Sequence, residues 1–121
     1  MQRKYRLKKG YQFNYIYRRG KSVAGKEMVL YFVKNRTGKM QIGISVSKKI
    51  GKSTVRNRVK RVFKECARKL IPQIDCKYNF VLLARAQSVG ASYNEVLETL
   101  KSLLHKSGCL IENEISDSTA N

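Results

Sequence analysis

STVRNRVKRVFKECARKLIP, residues 53–72, carries two patterns at once. At about 100° per residue, Val55, Val59, Val62, Phe63, Cys66 and Leu70 gather into a wedge as wide as a core-facing helix stripe. Arg56, Asn57, Lys60, Arg61, Lys64 and Arg68 fill the opposite arc. The spacing predicts a helix from Ser53 to Leu70, ended by Pro72 because the residue before a proline resists helical geometry. A helix with a one-sided apolar stripe must lay that stripe on another element. The flanking segments supply it, and they read as strands.

Upstream, EMVLYFVK (27–34) reads as a strand apolar on both faces, and QIGISVS (41–47) as a two-faced one. In the latter, Ile42, Ile44 and Val46 point one way, and Gln41, Gly43, Ser45 and Ser47 the other. NRTGK (35–39) has turn chemistry and predicts a hairpin between these two strands. Downstream, YNFVLLARA (78–86) reads as a third strand. Ser92 to Lys106 reads as a helix with a Ser92/Glu95 capping box and Gly108 after its end. YQFNYIYRR (11–19) predicts a first helix closed by a left-handed Gly20, with Phe13, Ile16 and Tyr17 on one side and Tyr11 and Tyr15 on the other. The expected fold is α+β, an α/β sandwich in the order α-β-β-α-β-α. It forms one domain over residues 1–112, with a polar, frayed tail at 113–121.

Charge is distributed as unevenly as hydropathy. The 121-residue chain has a net charge of +18: residues 1–64 hold 20 Lys/Arg against one acid, Glu27, while residues 65–121 hold 6 against 7. The first half therefore carries the whole excess, and such a field selects a polyanion, nucleic acid before anionic membrane. Like charges at i, i+4 (Arg56, Lys60, Lys64) each cost a few tenths of a kcal/mol in an isolated helix. A partner's counter-charge offsets that. Beside the helix start, Lys48, Lys49 and Lys52 flank unpaired backbone N–H groups, where a phosphate is favoured. Gly51-Lys52-Ser53 is not a nucleotide-binding loop, because Val46 stands where its first glycine belongs.

If the hairpin forms, Val29 and Tyr31 share a face with Gly43 and Ser45, and Phe13 and Tyr17 wall one side of a groove there. Aromatic rings beside a cationic field suit unpaired bases, at about 1–3 kcal/mol per stacked base. Against this, rings at such positions also serve simply to fill a core.

GISVSKKIGKSTVRNRVKRVFKE (43–65) resembles the signature of the bacterial ribonuclease P protein subunit, whose hallmark is an Arg-Asn-Arg helix followed by Lys-Arg. The matching residues are Arg56, Asn57, Arg58, Lys60 and Arg61. The likeness extends from RLKKGYQF (6–13) through VLYFV (29–33) and FVLLAR (80–85) to the last helix. Lys52 departs from the many relatives that have Asn there, which makes the helix start more basic. The resemblance implies that a large catalytic RNA, not this chain, cleaves 5′ leaders from precursor tRNA. It implies that the Arg-Asn-Arg helix faces that RNA and that a cleft holds the single-stranded leader, with Phe13, Tyr17, Val29 and Tyr31 at its lining positions and Ser45 beside them. It also implies a left-handed β-α-β crossover.

A protein nuclease needs paired carboxylates or a histidine pair. The basic half offers only Glu27, and His105 is the sole histidine. No catalytic or metal-ligating residue is therefore expected, and Mg²⁺ is expected on the RNA and its substrate. Cys66, Cys76 and Cys109 form no CxxC pair and read as free thiols of a reducing cytoplasm. The longest apolar run, FVLLA (80–84), is strand-sized, and the basic N-terminus lacks the apolar stretch of a signal peptide. Neither a membrane nor an obligate protein partner is expected. A structural ribosomal RNA-binding protein fits the charge and size equally well; the aromatic groove and the long signature match favour the ribonuclease P reading.

Overall fold

The computed structural model describes residues 2–111, so the expected tail at 113–121 lies outside the described residues. Three helices, α1 (Gly10–Arg19), α2 (Ser53–Leu70) and α3 (Tyr93–Ser107), pack on a four-stranded sheet. Its strands are β1 (Lys21–Ala24), β2 (Met28–Lys34), β3 (Ile42–Ser45) and β4 (Tyr78–Ala84). The spatial order is β1-β2-β4-β3. β4 runs antiparallel to β2 and parallel to β3, so β3-α2-β4 is a β-α-β unit.

α1 covers one face of the sheet, where Leu7, Ile16 and Val81 are buried together. α2 and α3 cover the other over the main core, in which Phe63, Met28 and Leu30 are fully buried. The stripe read from the sequence is the face α2 turns inward: Val59, Phe63, Cys66 and Leu70 are buried, and Ala67 joins them. A buried phenylalanine such as Phe63 is worth about 3–5 kcal/mol against alanine. α3 begins as expected. Glu95 N–H donates to Ser92 Oγ at 3.1 Å and Ser92 N–H donates to Glu95 Oε1 at 2.8 Å. Hydrogen bonding from Ser92, its backbone N–H first and its side chain second, holds the Glu95 carboxyl below the usual carboxylate range. At the other end Gly108 takes the left-handed conformation, φ 76°.

Three expectations are corrected. β2 and β3 do not form a hairpin, because β4 lies between them. The 35–39 segment does turn, with Gly38 N–H on Asn35 Oδ1 at 2.8 Å, but its polar groups are claimed by β4. Asn35 Nδ2 and Gln41 N–H both donate to Asn79 Oδ1, at 3.1 and 2.9 Å, clamping the turn across the inserted strand. Second, β1 was not expected; it pairs antiparallel with β2, so the strand order along the chain gains one member. Third, Gly20 is extended at φ −83°, not left-handed. Glycine is needed there for closeness: a Cβ would stand 2.6 Å from Ile16 O and 2.7 Å from Phe32 O. Two strands are also shorter than read, with β3 ending at Ser45 and β4 at Ala84.

Candidate nucleic-acid interface

The approach to α2 is built to leave donors free. Ser47 Oγ accepts Lys49 N–H at 3.1 Å and starts a short turn over Lys48–Ile50. Gly51, at φ 156° and ψ −167°, then swings the chain into the helix. Lys52 is the N-cap; it makes no side-chain cap, and the first turn holds no acid. The first N–H groups of α2 thus have no side-chain cap, and exposed Lys48, Lys49 and Lys52 precede this positive helix end.

Along α2 the cations divide into two rows. Arg56, Lys60 and Lys64 are half-buried, whereas Asn57, Arg58, Arg61 and Arg68 are exposed. Arg56 Nε donates to Gly51 O at 3.1 Å, so its guanidinium is folded back over the helix start. Lys60 and Lys64 lean over the β3 edge, where they line a hollow of about 180 Å³ with Arg6, Phe13 and Gly43. Arg6 was not among the sequence-derived candidates. It arrives because the N-terminal segment runs beside β3, with Leu7 N–H on Ile42 O at 3.0 Å and an Arg6–Ile42 bridge. No periodicity in residues 2–9 announces that pairing.

Little acid answers this charge. Glu27, the one acid of the first 64 residues, is buried, and its carboxylate accepts the Thr99 hydroxyl. Arg68 is the exception among the candidates: it pairs with Glu65 at 2.7 Å on the exposed surface. Its hydrogen bond and charge hold the Glu65 carboxyl below the usual range.

The aromatic cleft forms on the α1 face by a different route from the expected one. Tyr31 and Gly43 are registered through Val81, and Val29 and Ser45 through Leu83, all on β4. Strand pairing through one intervening strand preserves the face, so the four residues share it although the hairpin is absent. Tyr17 and Tyr31 meet edge to face, centroids 4.9 Å apart at 81°. Phe13 lies over Gly43, where a Cβ would stand 2.5 Å from its ring. Phe13, Tyr17, Val29, Tyr31 and Ser45 are all half-buried. The rings thus pack against the Leu7, Ile16 and Val81 core and remain partly exposed. The hollow at Lys60 and Lys64 joins this cleft to the cationic helix around Phe13.

Among the described residues, no group of three or more His, Cys, Asp and Glu side chains is placed to hold a metal ion. Nor is any helix among the described residues long and apolar enough to cross a membrane. Cys66 and Cys109 are buried free thiols and Cys76 is exposed.

Fold and site together define a small α+β domain with a cationic helix face, paired with acid at Arg68, beside an aromatic cleft. The family model for Ribonuclease P matches residues 1–108. The ribonuclease P protein component of Clostridium kluyveri is 43% identical over 106 residues, 86% of this chain and 95% of that one. The solved structure of Staphylococcus aureus RNase P protein superposes with a TM-score of 0.80 at 30% identity, covering 88% of this chain and 98% of that one. The RNase P protein from Thermotoga maritima gives 0.76 at 30% identity, covering 84% and 96%. This chain belongs to the ribonuclease P protein family.

Proposed function

We propose that this chain is the RNA-binding subunit of a cytoplasmic ribonuclease P, holding the catalytic RNA on α2 and the 5′ leader of precursor tRNA in the aromatic cleft. The RNA carries out the chemistry. One observation carries this reading: Lys60 and Lys64, of the half-buried row that Arg56 begins, line one hollow with Phe13 around the β3 edge, so the charged and aromatic surfaces adjoin. Lys48, Lys49 and Lys52 with the free α2 N–H groups suit one backbone phosphate, while Arg56, Arg58, Lys60, Arg61 and Lys64 suit a run of them. Asn57 offers a neutral donor and acceptor within that row. Arg68 exchanges Glu65 for phosphate.

An unpaired leader strand fits the cleft because any base can stack on the exposed parts of Phe13, Tyr17 and Tyr31, which gives affinity without fixed sequence. Val29 and Ser45 continue that floor. Mg²⁺ supplies its chemistry from the RNA and substrate; the side chains here lower phosphate repulsion and position the strand. The test is cleavage of precursor tRNA in Mg²⁺ by the purified chain with and without a ribonuclease P RNA. Leader removal is expected only with the RNA, and cleavage by RNA-free protein overturns the assignment.

A further inference from the structure

A hollow of about 510 Å³ lies at the opposite edge of the sheet from α2's cationic row, between β1, β2 and the ends of α1 and α3. Its wall carries Arg19, Lys21, Lys34 and Lys106, all exposed, with no acid among the lining residues. The ion pairs among the described residues are Arg68–Glu65 and Lys101–Glu98, so none of these four cations is in one. Two rings, Phe32 and Tyr78, form part of the lining; they meet at 66° with centroids 6.2 Å apart, and both are half-buried. The contiguous α1 and β1, then β2 and the distant α3, thus deliver cations around one aromatic pair. The volume falls in the range of about 300–1,000 Å³ common for small-ligand sites.

We propose that this hollow is a second nucleotide-binding site, taking one unpaired ribonucleotide with its base against Tyr78 and Phe32 and its phosphates on Arg19, Lys21, Lys34 and Lys106. Cations alone would accept any anion, including an acidic peptide. The rings add a preference for a flat, polarisable group attached to the phosphate. The proposal goes beyond the role given to α2 and the leader cleft. A strand bound there is separated from the α2 row by the width of the sheet, so each site can be occupied without the other.

The test uses the full chain with Arg56→Glu, Lys60→Glu and Lys64→Glu, which removes the α2 row. A 4-thiouridine-containing oligouridylate is photo-crosslinked to this protein, and free uridine monophosphate is run in parallel as competitor. Crosslinks are expected on the peptides holding Phe32 or Tyr78. Adding Lys34→Glu and Lys106→Glu should reduce the log–log salt slope by about 1.4, at about 0.7 per single-strand phosphate contact. The reversals Lys69→Glu and Lys101→Glu, outside the hollow, serve as the matched control. Displacement by uridine monophosphate supports a mononucleotide site, and its failure with retained crosslinks supports a site for a strand; both keep the nucleotide assignment. Crosslinks confined to other peptides, a slope change equal to the control's, or displacement by polyglutamate as effective as by oligouridylate overturns it. A failed leader cleft with intact crosslinking here separates the two readings.

Discussion

Phe13 rests on the backbone of Gly43, so closely that a Cβ at this glycine would lie 2.5 Å from the ring and 2.9 Å from Leu7 Cδ1. Gly43→Ala is therefore an overpacking change at the joint between α1 and β3. It is expected to cost about 1–3 kcal/mol, read as a lower urea midpoint with unchanged slope, and to tilt Phe13 out of the cleft. An unchanged midpoint would mean that α1 moves freely on the sheet.

Charge reversal at Arg56, Lys60 and Lys64 together is expected to weaken assembly with ribonuclease P RNA. It should also flatten the log–log salt dependence by about 2–3, at roughly 0.7–0.9 per phosphate contact. Filter binding from low to moderate salt checks this. A parallel, displaced line would mean that the row does not meet phosphate.

Phe13→Ala with Tyr31→Ala should raise the Kd for long-leader precursor tRNA more than for mature tRNA. The loss of about 1–3 kcal/mol per stacked base is expected only where a leader is present. Equal losses for both ligands would point to the Tyr17–Tyr31 packing, and so to folding, as the cause.

Burial, and secondarily the neighbouring Glu65 carboxylate, pushes the Cys66 thiol up to about 11. Burial likewise raises Cys109. Because the thiolate is the reactive species, iodoacetamide at mildly alkaline pH should alkylate exposed Cys76 in the native protein and reach the other two only in denaturant. Mass spectrometry of tryptic peptides checks the order, and early labelling at Cys66 would contradict the packing of α2 against α3.

Legibility in the sequence followed the range of the interactions. The limits of α2 were readable from residues 53–72 because a stripe, a charged arc and a proline coincide there, and α3 because Ser92, Glu95 and Gly108 act locally. β1 was not: in KSVA only Val23 is half-buried, and the strand exists through pairing with β2. The supposed hairpin failed for a related reason. Its turn residues are genuine, but Asn79, some forty positions later, captures Asn35 and Gln41 for β4. The faces survived that error, because alternation depends on parity and not on which strand intervenes. Hence Phe13, Tyr17, Val29, Tyr31 and Ser45 converge as expected, while Arg6 depended on a non-local bridge that no pattern marks.

The position of β4 has a consequence for how the molecule is made. It is the inner strand that bonds to both β2 and β3, yet it is translated after them and after all of α2. Until residue 84 clears the ribosome, the emerging chain is a polycation with nothing to close its sheet, and long-range pairing of this kind is slow. Nascent copies would thus pass through an open, strongly cationic interval before the last third of the polypeptide locks them shut.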